Sequence, residues 1–349
     1  MNVPLVSRRS LMDSIKIKHG ALRDVRISIF SIVRNESYFL KAFFNHYRSL
    51  GVNQFIMLDD NSIDGTLDFL KSQPDCLTIG SDFSFGQRIN YRELEDSAPR
   101  QRRAGIVLKS LIGRKYLSGK FAIHADADEF LLLPNAVRDL PALFDELEAL
   151  NANCVPASLI EFYPENLSRL DGSRQVNSLE DLLSCSPYYD HIPLLGSHRG
   201  SYPRKIHRSA TWRLCKKHKI NFAPPYLSWL PPWITEMLPF RCAQSSVLTT
   251  PVIKWSENAY MKGSHKASVP PSHDLFLAMM HFKFTGDFSR KVKQATIEKA
   301  HRGGSSMYFA YSRLYVKLKK SGGSFLSPNS RKFSDASELE DIGLIKWKV

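Results

Sequence analysis

The sequence predicts an α/β fold, a mostly parallel, Rossmann-like sheet flanked by helices, with an irregular C-terminal half. Three observations predict it. Short β-branched runs alternate with helical stretches over the first 135 residues, several of those runs end in polar clusters, and beyond Pro164 the periodicity breaks up among Pro, Ser and His.

Residues 26–33 form a short apolar run that reads as a buried strand, broken by Arg34, Asn35, Glu36 and Ser37. Phe39, Leu40, Phe43, Phe44, Tyr47 and Leu50 then recur at helical spacing, and Gly51 stands where a C-terminal cap belongs. Residues 55–58 are a second strand, ending in Asp59, Asp60, Asn61 and Ser62; 66–71 is helical and 77–79 is a brief third strand. This β-α-β-α-β order calls for parallel strands joined by right-handed crossovers. A basic stretch, 99–111, reads as a helix, 121–124 as the fourth strand, 140–150 as an amphipathic helix and 155–162 as a fifth strand. Near the C-terminus, Leu339, Ile342, Leu344 and Trp347 are apolar anchors expected to pack on the body.

Of 349 residues, 43% are hydrophobic, enough for a large core, which excludes disordered, collagen-like and low-complexity classes. Lys and Arg number 48 against 34 Asp and Glu, a formal net charge of +14. Such a surplus asks for an anionic partner: nucleic acid, a membrane face or a phosphate-bearing substrate. The five cysteines are scattered with no C-x-x-C pair, so neither a disulfide framework nor a zinc site is expected, and a reducing cytosol fits best. The first 19 residues carry Arg8, Arg9, Lys16 and Lys18 but no apolar run, so no signal peptide is expected. Nor do ~18 apolar residues run together anywhere, the length a membrane-spanning helix needs.

The strongest chemical signal is Asp126-x-Asp128 followed by Glu129, directly after the fourth strand. Open α/β sheets gather ligands outside the carboxyl ends of their strands. A hard divalent cation bridging phosphate oxygens wants one or two carboxylates plus water. The alternative for these residues is a solvated acidic turn.

Taken with the other strand ends, four stretches decide between them: SIVRNE (31–36), HYRSLGV (46–52), LDDNSIDGT (58–66) and HADADEF (124–130). In this order they resemble the glycosyltransferase A (GT-A) fold, and within it the family 2-like and family 92-like glycosyltransferases. The likeness continues more weakly through GSHRG (196–200), Arg204-Lys205 and LAMMHFKF (277–284). It implies a nucleotide-sugar donor, most simply a UDP-sugar, Mn2+ or Mg2+ as cofactor, and transfer of the sugar to a hydroxyl, and it leans toward inversion. It further implies that Asp60 contacts the base or ribose with Arg34, Asn35 and Glu36 beside it. Asp126 and Asp128 would be the D-x-D pair, Asp128 holding the metal directly, with His281 as a late metal ligand. The implied division is a tail (1–24), a nucleotide-sugar-binding half (25–135) and an acceptor-binding half with C-terminal elements (136–349).

A leaving diphosphate needs preplaced cations. Arg199, Arg204, Lys205, Lys283 and Arg290 are candidates, Arg204 and Lys283 foremost because they fall in stretches resembling the family. A base for the acceptor proton is sought among carboxylates of the second half, Glu257, Asp190 and Glu161. Glu257 is the first choice and His265 the second. The acceptor is expected to be a polysaccharide or a lipid-linked glycan, the location cytoplasmic. The segment 223–234, rich in Pro and carrying Trp229 and Trp233, would supply a peripheral contact with anionic membrane. Two competing classes are a sugar-phosphate nucleotidyltransferase and a non-catalytic basic module binding nucleic acid or membrane. The first lacks its glycine-rich signature at 33–36, and the second gives no reason for acidic clusters at successive strand ends, so no nucleic-acid partner is expected.

Overall fold

The computed structural model describes residues 3–170, 175–193, 209–220, 234, 246–272, 275–300 and 302–347. Its first half contains β1 (Lys16–His19), β2 (Ser28–Val33), α1 (Ser37–Ser49), β3 (Gln54–Asp59), α2 (Thr66–Lys71), β4 (Cys76–Gly80), α3 (Ala104–Leu117), β5 (Phe121–His124) and β6 (Glu129–Leu132). There follow α4 (Leu140–Ala149), β7 (Cys154–Glu161), α5 (Ala210–Lys217), β8 (Leu248–Lys254), β9 (Leu275–His281), α6 (Phe288–Glu298), α7 (Arg302–Lys320) and β10 (Lys346–Trp347).

These ten strands make one sheet in the order β10-β9-β7-β8-β5-β2-β3-β4-β1, with β6 also paired to β9. The stretch β5-β2-β3-β4 is parallel throughout, as the alternation of strands and helices requires. The sheet as a whole is mixed, not mostly parallel. The chain re-enters beside β5 through β8, which runs antiparallel to both β5 and β7, and β1 closes the far edge antiparallel to β4. Pro156 lies where the β7–β8 register slips between Val155 and Ala157, because proline has no N–H to offer the ladder.

Both faces of the sheet are covered, so its central strands are apolar on both sides. In β3, Phe55 and Met57 face the core beneath α1 and α4, while Ile56 and Leu58 face the core beneath α3. A third cluster, with Phe284, Phe288, Tyr311 and Leu314, joins α6 and α7. The described part of the second half adds regular strands and helices to the sheet. Arg100–Arg103 is a strand paired with Arg88–Tyr91, and the helix expected over 99–111 begins only at Ala104. Arg100 and Arg103 would repel one another at helical i, i+3 spacing, whereas in a strand they lie farther apart. The C-terminal anchors pack as expected: Leu339 and Leu344 are fully buried, with Ile342 and Trp347 against the same core. Among the described residues no helix is long and apolar enough to cross a membrane.

Candidate functional site

Because β2, β3 and β5 run parallel, the loops that follow them emerge on one side of the sheet. The first two are clasped together. Asn35 adopts a left-handed backbone (φ 55°), which asparagine tolerates better than most side chains. Its amide oxygen accepts from Ile63 N (2.7 Å), its own N–H donates to Ser62 Oγ (2.9 Å), and Glu36 N donates to Thr66 Oγ1 (2.8 Å). Arg34 Nη1 donates to the Asp60 carbonyl (3.1 Å) and Nη2 to Glu298 (3.0 Å). The Asp60 carboxylate accepts from Phe85 N (3.2 Å), and burial pushes its pKa up.

After β5 the chain turns through Asp126 to Asp128 into β6. Glu129 Oε2 accepts from Asp126 N (3.1 Å), and the Asp128 carbonyl accepts from Phe282 N (2.9 Å), which locks this turn to the end of β9. Lys109 Nζ, buried on α3, donates to Asp126 (2.9 Å). Lys291 on α6 lies 2.8 Å from Glu36 and 3.4 Å from Asp128, and His281 Nε2 is 3.7 Å from Asp128. Burial opposes ionisation of both aspartates. Lys109 beside Asp126, and Lys291 with His281 beside Asp128, outweigh it and hold both carboxyls well below the usual range. Burial pushes Glu36 up to about 7 despite Lys291, and burial with the two flanking aspartates drives Glu129 well above its ordinary value.

The carboxylates of these loops and Lys291 open onto one cavity of about 260 Å3. Arg34, Glu36, Asp60, Asp126, Asp128, His265, His281 and Lys283, all singled out from sequence, line it. They share the lining with Phe85, Arg103, Glu129, Lys291, Glu298 and Tyr308. His265 Nδ1 lies 3.7 Å from Glu129 Oε1, and burial pushes the imidazole down to about 4. Lys283 Nζ sits 3.6 Å from Glu161 and over the Tyr311 ring; these partners outweigh burial and raise its pKa.

Other candidates go elsewhere. Asn35 builds the loop and does not line the cavity. Glu257 is exposed in the turn after β8 and is not among the lining residues. Glu161 accepts from Thr211 N and Oγ1 (2.6 and 2.8 Å), Asp190 pairs with Arg213 (2.8 Å), and Arg290 binds Asp287 and the Asn35 carbonyl. Arg199, Arg204, Lys205, Trp229 and Trp233 lie outside the described residues.

Sequence reasoning missed Lys109, Lys291, Glu298 and Tyr308. Two signals were present. Lys291, Gln294, Ala295 and Glu298 follow the i, i+3, i+4, i+7 spacing of one helix face, and all four line the cavity. Lys109 interrupts an otherwise apolar helical run, where a buried ammonium demands an acidic partner. Mn2+ or Mg2+, implied by the family resemblance, wants bare carboxylates, yet here each aspartate already faces an ammonium group. Among the described residues no group of three or more His, Cys, Asp and Glu is placed to hold a metal ion, and as they stand these residues do not fit one.

Neither a protein-family model nor a curated protein matches the chain. Among solved structures it is similar to the crystal structure of S. aureus TarS, at 12% identity and a TM-score of 0.33, over 79% of this chain. The alignment spans only 40% of the length of that structure.

Proposed function

We propose that this protein is a glycosyltransferase of the GT-A type, moving a sugar from a nucleotide-sugar donor to a hydroxyl of a glycan or lipid-linked acceptor. One observation supports this reading above the rest. The stretches 31–36, 58–66 and 124–130, which carry the family resemblance, all contribute to one cavity at the carboxyl ends of parallel strands. Asp60 and Arg34 hold the nucleoside end of the donor, and Lys283 faces its diphosphate. The acceptor oxygen forms its bond to the anomeric carbon as the bond from that carbon to the diphosphate oxygen breaks. The bonding pair leaves on the phosphate, where cationic groups stabilise the growing charge. Among the residues that line the cavity, His265 takes the acceptor proton.

A panel of nucleotide sugars screened by thermal unfolding tests the reading, UDP-sugars first. A true donor at about a hundred times its dissociation constant should add ~2.7 kcal/mol of stability. If none of the panel shifts the melting temperature, with or without manganese, the reading fails.

A further inference from the structure

The two aspartates that would carry a metal are committed elsewhere, and this is where the chain departs from the family it resembles. Asp126 is paired with Lys109, whose side chain is 1% exposed on a helix buried around it. Turning Asp126 toward a cation would take from that buried ammonium its hydrogen-bonded carboxylate partner. Asp128 shares Lys291 with Glu36, and Lys291 is itself confined over the Phe39 ring, 4.5 Å from its centroid. Lys283, 3.6 Å from Glu161, lines the same cavity as Lys291. A divalent ion in such a site supplies fixed positive charge to phosphate oxygens. Here two lysines that line the cavity stand where they can supply it.

We propose that the donor diphosphate is held by Lys283 and Lys291 in place of a divalent cation, so that nucleotide binding and sugar transfer proceed without metal. This rests on the transferase reading above. As the diphosphate arrives, Lys291 exchanges part of its pairing with Glu36 and Asp128 for phosphate oxygens. Lys109 stays with Asp126 and keeps the turn between β5 and β6 in place.

Isothermal titration of the full chain with UDP, GDP, CDP and TDP, in excess EDTA and in manganese, tests it. The expected result is that one nucleotide binds with the same affinity in both buffers. Lys291→Met should weaken that binding by about tenfold or more, while Lys291→Arg, which keeps the charge, stays within a few-fold. Lys283→Met is the second variant, and far-UV circular dichroism confirms that each is folded. Binding that appears only with manganese, or manganese taken up tightly by the protein–nucleotide complex in electron paramagnetic resonance, overturns the inference and leaves the transferase reading standing. A folded Lys291→Met and Lys283→Met pair that both bind as tightly as wild type overturns it as well. If no nucleotide or nucleotide sugar binds in either buffer, the transferase reading falls, and the inference falls with it.

Discussion

Asp60 carries two duties at the end of β3. Its carboxylate holds the Phe85 N–H at 3.2 Å and stands 3.6 Å from Arg34, so it shapes the cavity floor as well as facing it. Asp60→Ala leaves the Phe85 N–H without its acceptor, at a cost of about 1–3 kcal/mol in stability. Its contact to the nucleoside is remote from the reacting carbon, so the donor KM should rise about tenfold with kcat little changed. Steady-state kinetics beside a thermal melt check both; a collapse of kcat at unchanged KM would remove Asp60 from the nucleotide. His124 is a different kind of residue. It is 1% exposed, neither ring nitrogen has a hydrogen-bond partner among the described residues, and its ring lies 5.0 Å from that of Phe30. Burial first, then Lys109, drives its pKa well below the ordinary value. The unfolded chain therefore binds a proton near pH 6.5 that the folded chain refuses, and stability present above that pH is lost as the pH falls. His124→Phe removes this loss without removing a hydrogen bond. Between pH 7 and pH 5 the variant should gain about 2 kcal/mol on the wild type, read from urea titrations at the two pH values. Parallel pH dependences would show that the fold leaves the His124 pKa where the unfolded chain has it.

At the scale of the element, α3 is held unusually close to its neighbours. A Cβ added at Gly113 would lie 2.2 Å from the Trp255 ring, and one at Gly105 would lie 2.1 Å from the Phe85 ring. Gly113→Ala should gain ~1 kcal/mol in helix propensity and still lose about 2 kcal/mol net, because the indole has to shift in a filled core. Chemical denaturation measures it, and a stabilised variant would mean that Trp255 moves freely. The same helix shows what can be read from a chain and what cannot. Elements β2 to β5 with α1 and α2 were legible because apolar periodicity and strand-ending polar clusters are local signals. Lys109 was visible as a basic residue, but its partner Asp126 is known only once α3 lies beneath β5. The start of α3 was misjudged because the pairing of Arg100–Arg103 with Arg88–Tyr91 is a contact, not a propensity. The place of β8 between β5 and β7 is likewise decided by pairings such as Val252 with Ile123, far apart in sequence. In the candidate site, carboxylates at strand ends announced themselves. The lysines that neutralise them, borne on helices, did not.

Over the whole molecule, the C-terminal stretch acts as a lock on the second half of the sheet. Leu339, Leu344 and Ile345 are buried, β10 extends the sheet beside β9, and Trp347 Nε1 donates to Glu146 on α4 (2.7 Å). Burying three such side chains contributes about 5 kcal/mol or more, comparable with the ~5–15 kcal/mol that holds most domains folded. Deletion of residues 336–349 should therefore abolish the cooperative thermal transition. A truncated chain that melts within a few degrees of the full one would show that the core closes without it.

The Arg34–Glu298 pair joins positions 264 residues apart across the cavity. Closing the loop between them costs entropy that the assembled structure has to offset. The cavity exists only where distant parts of the chain have come together, and whatever occupies it reports on that assembly. A ligand of this site would bind only chains that have finished, drawing the population toward them by mass action. It would therefore rescue destabilising substitutions far from any atom it touches.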